Sequence, residues 1–331
     1  MKIFNSLSFC IFLMFCSCSN DYRYIIENSD GKYGFINQKG EVVIEPQFDY
    51  ANDFSEGLAM VNIDGKYGYI NKEGKFVINP QFDDAYSFSE GLAMVRIGGK
   101  YGYIDKEGKM VITSQFDNAY NFSEGLAIVE IDGLYGYIDK EGKIVIKPQF
   151  DYAHSFSEGL ANVGIGENSF SSKYGCIDKD GKMVVTPQFD MAFNFSEGLA
   201  EVGIGEYYSR KYGYIDKEGT MVITPQFDST GIFSEGLAAV KIDDKWGYID
   251  KEGKFVINLQ FDDAYSFSEG LAKVRIGGKY GYIDKKGNIV INPQFDKTSK
   301  FHNGLARVKL AKDFYAYIDK TGKVVYNYRT K

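Results

Sequence analysis

Gln81-Phe82-Asp83-Asp84-Ala85-Tyr86-Ser87-Phe88-Ser89-Glu90-Gly91-Leu92-Ala93-Met94-Val95-Arg96-Ile97-Gly98-Gly99-Lys100-Tyr101-Gly102-Tyr103-Ile104-Asp105-Lys106-Glu107-Gly108-Lys109 is the clearest copy of a stretch that recurs along the chain. Gln-Phe-Asp returns at residues 47, 81, 115, 149, 188, 226, 260 and 294. Phe-Ser-Glu-Gly-Leu-Ala begins at Phe54, Phe88, Phe122, Phe156, Phe195, Phe233 and Phe267, with an imperfect copy at Phe301. Successive starts lie 34 residues apart, except for steps of 39 and 38 across Phe156, Phe195 and Phe233. Self-similarity at a fixed period of this size marks a repeat array rather than separate domains.

The period also suits a helical repeat, but the chemistry excludes helix. Each unit holds glycine in several places, and glycine costs roughly 1 kcal/mol per helix-interior position. Between the glycines lie short runs rich in Val, Ile, Tyr and Phe, alternating with polar residues, which is a strand signal. Three strands are expected per unit. In the first, Leu92–Ile97, the recurring Ala93, Val95 and Ile97 are expected to face a core, with the variable Met94 and Arg96 outward. Asp64-Gly65 and Asp132-Gly133 supply the positive φ that a two-residue hairpin turn demands. The second strand, Lys100–Asp105, carries Gly102 between two aromatics, which points to close backbone approach or an overlying ring. Lys106-Glu107-Gly108 reads as a tight turn. The third strand, Lys75–Ile78, is expected to end at Pro80, because proline cannot donate to the ladder. The connector Phe82–Phe88 is expected to form one helical turn capped by Asp83.

These motifs resemble the WG-repeat (KWG) family, named for a Trp-Gly pair on the second strand. Trp246-Gly247 matches it literally, and Tyr67-Gly68, Tyr101-Gly102, Tyr135-Gly136, Tyr174-Gly175, Tyr212-Gly213 and Tyr280-Gly281 match with tyrosine. The resemblance covers nearly everything after residue 21. It implies an all-β repeat found in many bacterial proteins, generally without an assigned activity, and it brings no catalytic residues.

One unit alone cannot bury its apolar faces, so stability must come from neighbouring units stacking on one another. About nine hairpins are expected, from Tyr22–Ile44 to Leu305–Tyr326. The first lacks the Phe-Ser-Glu-Gly entry and the last ends in polar residues, as end caps would. An open superhelical array of these hairpins is therefore expected, with a closed propeller-like ring as the alternative.

The start of the chain is different in kind. Met1-Lys2 and the apolar run Ile3–Phe15 precede Cys16-Ser17-Cys18-Ser19-Asn20. The run is too short to span a bilayer and suits the core of a secretory signal. Ser17-Cys18 resembles a bacterial lipobox, so residues 1–17 are expected to be a lipoprotein-type signal peptide. Lipidation is expected at Cys18, and 18–331 would be a single β array. The protein is thus expected outside the cytoplasm, held in the cell envelope by its lipid. Cys10 and Cys16 belong to the same leader; Cys176 stands where other units have tyrosine or phenylalanine, and is expected to be a buried apolar substitution.

A formal charge of −7 and a pI near 5.1 argue against nucleic acid. The chain has only two histidines, His154 and His302, both in variable positions of the repeat. The Glu of Phe-Ser-Glu-Gly and the Asp of Gln-Phe-Asp form two acidic ladders. Glycoside hydrolysis needs one carboxylate pair in unlike environments, whereas these repeat in every unit, so caps and turns are expected of them. No phosphate loop, catalytic triad or metal-ligand spacing stands out. No cofactor, no metal and no catalytic residue are expected.

The departures from the period remain as leads. The junctions Gly164–Lys173 and Gly203–Lys211 are longer than the tight turn and fall at the same point of consecutive units. Insertions of this kind often sit on a binding face. Phe170, Tyr207, Tyr208 and Arg210 are the candidate partner-binding residues there, of types common at interaction hot spots. The expected function is that of a non-enzymatic, lipid-anchored repeat protein presenting a surface to a protein partner. The alternative is a module that binds glycan or cell wall through exposed aromatics.

Overall fold

The computed structural model describes residues 22–166 and 172–330. Within them the chain forms nine antiparallel sheets in sequence order, closed into a ring as a nine-bladed β-propeller. Blade 1 holds β1 (Tyr24–Glu27), β2 (Tyr33–Ile36) and β3 (Val42–Phe48). Blade 2 holds β4 (Tyr50–Ala51), β5 (Ala59–Ile63), β6 (Lys66–Ile70) and β7 (Phe76–Phe82). Blade 3 repeats this as β8 (Asp84–Ala85), β9 (Ala93–Ile97), β10 (Lys100–Ile104) and β11 (Met110–Phe116). Five further blades follow the same plan, and the ninth pairs Leu305–Ala311, Phe314–Asp319 and Val324–Arg329.

The hairpin and its turns form as the residues dictate. Asp64 and Gly65 take φ of 50° and 77°, and Gly108 takes 83°. Gly102 lies against backbone: a Cβ there would sit 2.5 Å from the Ile112 carbonyl oxygen. This approach explains why the third strand does not end at Pro80 but runs on to Phe82. The ladder steps from Tyr69 opposite Ile78 to Tyr67 opposite Phe82, so two extra residues bulge against Gly68. Pro80 sits in the bulge, where no ladder N–H is required. Blade 9 is the internal control. It has Ala316 in the glycine position, and its pairing from Tyr317↔Tyr326 to Tyr315↔Tyr328 is regular.

The connector is not helical. It opens with the two-residue strand β8, which pairs with Val95 and Arg96, so a full blade has four strands and not three. Asp83 caps the hairpin instead: one oxygen accepts from the Gly98 N–H at 2.9 Å and the other from Lys66 of blade 2 at 2.6 Å. Ser89 and Leu92 bridge a tight turn in which Glu90 and Gly91 take φ of 53° and 91°.

Burial differs from simple alternation because each sheet is covered on both faces. Ala93, Val95 and Ile104 pack on Leu58, Tyr69 and Phe82 of the blade before. Leu92, Met94 and Tyr103 pack on Phe122, Val129 and Ile138 of the blade after. Met94 is therefore buried, whereas Ile97 at the hairpin end is 45% exposed.

The array is closed, which corrects the expectation of an open superhelix. Tyr24, Ile26 and Ile36 of blade 1 pack against Leu305, Tyr317 and Tyr328 of blade 9. These are the positions that Ala93, Val95, Ile104 and Leu58, Tyr69, Phe82 fill at an internal interface. Among the described residues no strand is exchanged between the first and last blades, so completeness of each hairpin was no argument against a ring. The end features read as caps are the two sides of a seam.

Candidate interaction surface

Both acidic ladders are structural. The Glu56 carboxylate accepts from the Gly91 N–H of the next blade at 3.0 Å and pairs with Lys106 at 3.0 Å. Glu90, Glu124, Glu158, Glu197, Glu235 and Glu269 repeat this clamp around the ring. Burial pushes the Glu124 carboxyl up, but the Gly159 N–H and Lys179 outweigh it and hold it below the usual range. The Lys66 ammonium and the Gly98 N–H likewise hold Asp83 low. Carboxylates committed this way already have their hydrogen-bond partners across the blade interface. At the seam the charges vanish: Gln38 donates to the Asn303 carbonyl oxygen at 2.6 Å.

A hydroxyl ladder runs beside them. Tyr69, Tyr103, Tyr137, Tyr214, Tyr248 and Tyr282 each donate to a connector carbonyl of the next blade at 2.6–2.8 Å. Cys176 takes this place in blade 5, fully buried. The Asn162 side chain supplies the missing bond by donating to the Phe193 carbonyl oxygen, and the thiol turns to Asn162 Oδ1 at 3.0 Å. Burial pushes the Cys176 thiol up to about 12, far from a nucleophile's range. Cys176 is the apolar substitution expected of it.

The longer junctions leave the ring at equivalent points of blades 5 and 6, where Gly166 and Gly205 donate to Asp151 and Asp190. Tyr208 is 98% exposed and Tyr207 61%, with their rings edge to face at 5.0 Å. Arg210 is placed differently from its companions. It is buried, its stem lies on Gly203, and its Nε donates to the Gly205 carbonyl oxygen at 3.3 Å. Burial would raise the Asp190 carboxyl, but Lys173, the Gly205 N–H and Arg210 hold it low. Arg210 thus braces the loop rather than lining its outer face. Phe170 and Cys18 lie outside the described residues.

The sequence reading missed the seam. A cavity of about 560 Å³ opens there, lined among others by Tyr22, Tyr50, Asp53, Lys300, His302 and Arg307. Asp53 and Lys300 occupy the position of Ser87 in blades 2 and 9, on either side of blade 1. Burial raises the Asp53 carboxyl, with His302 acting against it. The available signal was the departure of both residues from the Ser or Asn common there. Among the described residues no group of three or more His, Cys, Asp or Glu could hold a metal ion.

Eight consecutive matches to the WG containing repeat cover 33–67, 67–101, 101–135, 135–168, 174–208, 212–246, 246–280 and 280–312. The chain belongs to the WG-repeat family. Among solved structures, this WG-repeat chain is similar to BamB from Moraxella catarrhalis, at 12% identity and a TM-score of 0.46, covering 83% of this chain and 94% of that one. Kluyveromyces lactis Hsv2p matches at 8% identity and a TM-score of 0.43, over 84% and 95%. The Dos1 propeller matches at 14% and 0.43, over 87% and 90%. No curated protein matches the chain. Nothing about activity or partners passes from these structures to the WG-repeat ring.

Proposed function

We propose that this WG-repeat propeller is a non-enzymatic, lipid-anchored protein of the cell envelope that presents a rigid surface to a protein partner. The observation that carries the reading is the Tyr207–Tyr208 pair, held out from the ring with Tyr208 almost fully exposed. Aromatic side chains offer large contact area at low entropic cost, and a loop braced on a rigid scaffold loses little freedom on binding. The two carboxylate ladders are engaged in inter-blade clamps, which supports a scaffold over a reaction centre. Residues 1–17 act as the leader and Cys18 carries the lipid. Tyr22 follows Cys18 by four residue steps, so even a fully extended connection spans about 14 Å, and the seam stays close to the membrane.

The test is capture of cross-linked partners from the protein's own envelope, comparing the wild type with Tyr207→Ala/Tyr208→Ala. The doubly substituted protein is expected to fold normally and to lose at least fivefold in recovery of a specific protein. Equal recovery removes the loop from the proposal. Retention on purified peptidoglycan, abolished by the same substitutions, would favour the glycan reading instead. For the anchor, Cys18→Ser is expected to abolish incorporation of labelled fatty acid and release the protein from membranes.

A further inference from the structure

Among the described residues blade 1 is one strand short. In blades 2 to 8 a two-residue strand such as β8 covers the edge of the strand that follows it, and in blade 9 Thr298 bridges Val308. Beside β1 no described residue takes that place, and the seam cavity occupies it. Tyr24 pairs with Ile36 as Ala93 pairs with Ile104, so Ile25, Ile26 and Glu27 stand where Met94, Val95 and Arg96 do.

The covered blades show what the bare edge is built to hold. The Met94 and Arg96 carbonyls accept from the Tyr86 and Asp83 N–H groups at 3.0 Å. The Tyr69 hydroxyl of the blade before donates to the Tyr86 carbonyl oxygen at 2.7 Å. At the seam the equivalent hydroxyl, that of Tyr317, finds no such carbonyl among the described residues and donates to the Ile25 carbonyl oxygen, at 2.7 Å. Opposite each valine in the Val95 position stands a small residue: Ala51, Ala85, Ala119, Ala153, Ala192 or Ala264, with Thr230 and Thr298 in the other two blades. The aromatic place of Phe88, whose ring lies 4.9 Å from Tyr69, is filled at the seam by Tyr24, 5.3 Å from Tyr317.

The turn that leads into the other blades depends on a glycine that blade 1 lacks. That turn is Ser-Glu-Gly-Leu in blades 2 to 8 and His-Asn-Gly-Leu in blade 9, and its glycine takes φ between 87° and 92° in all eight. Tyr22 stands in the glycine position, and a bulky side chain strongly disfavours that backbone conformation.

We propose that the seam is an acceptor for an extended segment of a second polypeptide, which adds as the missing edge strand antiparallel to Tyr24–Glu27. Its side chain opposite Ile26 is small. Its backbone N–H groups bond the Ile25 and Glu27 carbonyls, and the Tyr317 hydroxyl passes from Ile25 to a carbonyl of the guest. Backbone bonds then supply the affinity and the small-residue slot the selectivity, as in other strand-addition complexes. This does not rest on the Tyr207 loop, so either reading can fail alone.

The probe is a fluorescein-labelled nonapeptide copying Gln81–Ser89, titrated with the full chain and followed by fluorescence anisotropy. Saturable one-to-one binding is expected. Peptides carrying Ala85→Trp, which overfills the slot, or Tyr86→Pro, which removes the N–H aimed at Ile25, are expected to bind at least tenfold more weakly. A photoreactive group at the Ala85 position is expected to cross-link within 22–33, 50–53 or 299–307. The absence of saturable binding, equal binding of the three peptides, or cross-links elsewhere would overturn the proposal.

Discussion

The Tyr317 hydroxyl donates to the carbonyl oxygen of Ile25 at 2.7 Å, across 292 residues of sequence. It is the single hydroxyl of the ladder that joins the two ends of the chain, and with the Tyr24, Ile26 and Tyr328 side chains it converts a row of blades into a ring. In a ring every blade has two neighbours, so the terminal blades lose the exposed apolar faces that an open array must cap.

Tyr317→Phe keeps the packing and removes this bond. A loss of about 1 kcal/mol in stability is expected, measured by urea denaturation. It should match the loss from Tyr103→Phe at an internal interface. No loss for Tyr317→Phe alongside a clear loss for Tyr103→Phe would mean that the ends do not meet.

Gly102→Ala drives a Cβ to within 2.5 Å of the Ile112 carbonyl oxygen and 2.7 Å of the Ser114 nitrogen. Backbone cannot step aside as a flexible side chain can. A destabilisation of about 3 kcal/mol or more is expected, again by urea denaturation. A fully stable variant would show that the bulge is dispensable, as the regular ladder around Ala316 already hints for blade 9 alone.

Glu201 gives the ring a pH dependence. It is buried beside Thr230 and Tyr214 in the position of Met94, and burial raises its carboxyl to about 7. The folded state therefore holds the proton more tightly than the unfolded chain, whose carboxyl titrates at the ordinary 4.5. Its stabilising contribution is complete below that ordinary value. It is lost as the pH rises through the folded value, by about 3 kcal/mol in total. Glu201→Gln is expected to flatten the stability profile between about pH 4.5 and about pH 7, the window the two values span. Parallel profiles for the two proteins would refute the assignment.

Cys176 should be silent toward thiol reagents while the ring is folded, since the thiol is buried and its ionisation pushed up. With Cys10, Cys16 and Cys18 replaced by serine, a chromogenic disulfide reagent is expected to react only after denaturant is added. Rapid reaction of the native protein would place the thiol at the surface.

Much of the blade was legible because local residue chemistry dictates it. Asp-Gly demands its turn, Val and Ile alternate, and glycine between aromatics marks the close approach at Gly102. The errors arose where a neighbour intervenes. Pro80 stops a flat strand but not one bulged against Gly68, and Met94 is a variable position that the next blade covers. Asp83, a plausible helix cap in isolation, finds its partners in a hairpin turn and in a lysine of the adjacent blade. Of the candidate binding residues, Tyr207 and Tyr208 could be read as exposed because an insertion extends from the ring. The burial of Arg210 could not, since it depends on Gly203 lying under its stem.

The repeat by itself determined the central hairpin, its Asp-Gly and Lys-Glu-Gly turns and a count of about nine units, because these depend on residues close together in sequence. Whether nine blades run open or closed depends on the small rotation between neighbours, summed around the whole set, and no single unit encodes it. Only the tertiary structure brought Tyr24 to Tyr317, and with that contact joined the first blade to the ninth.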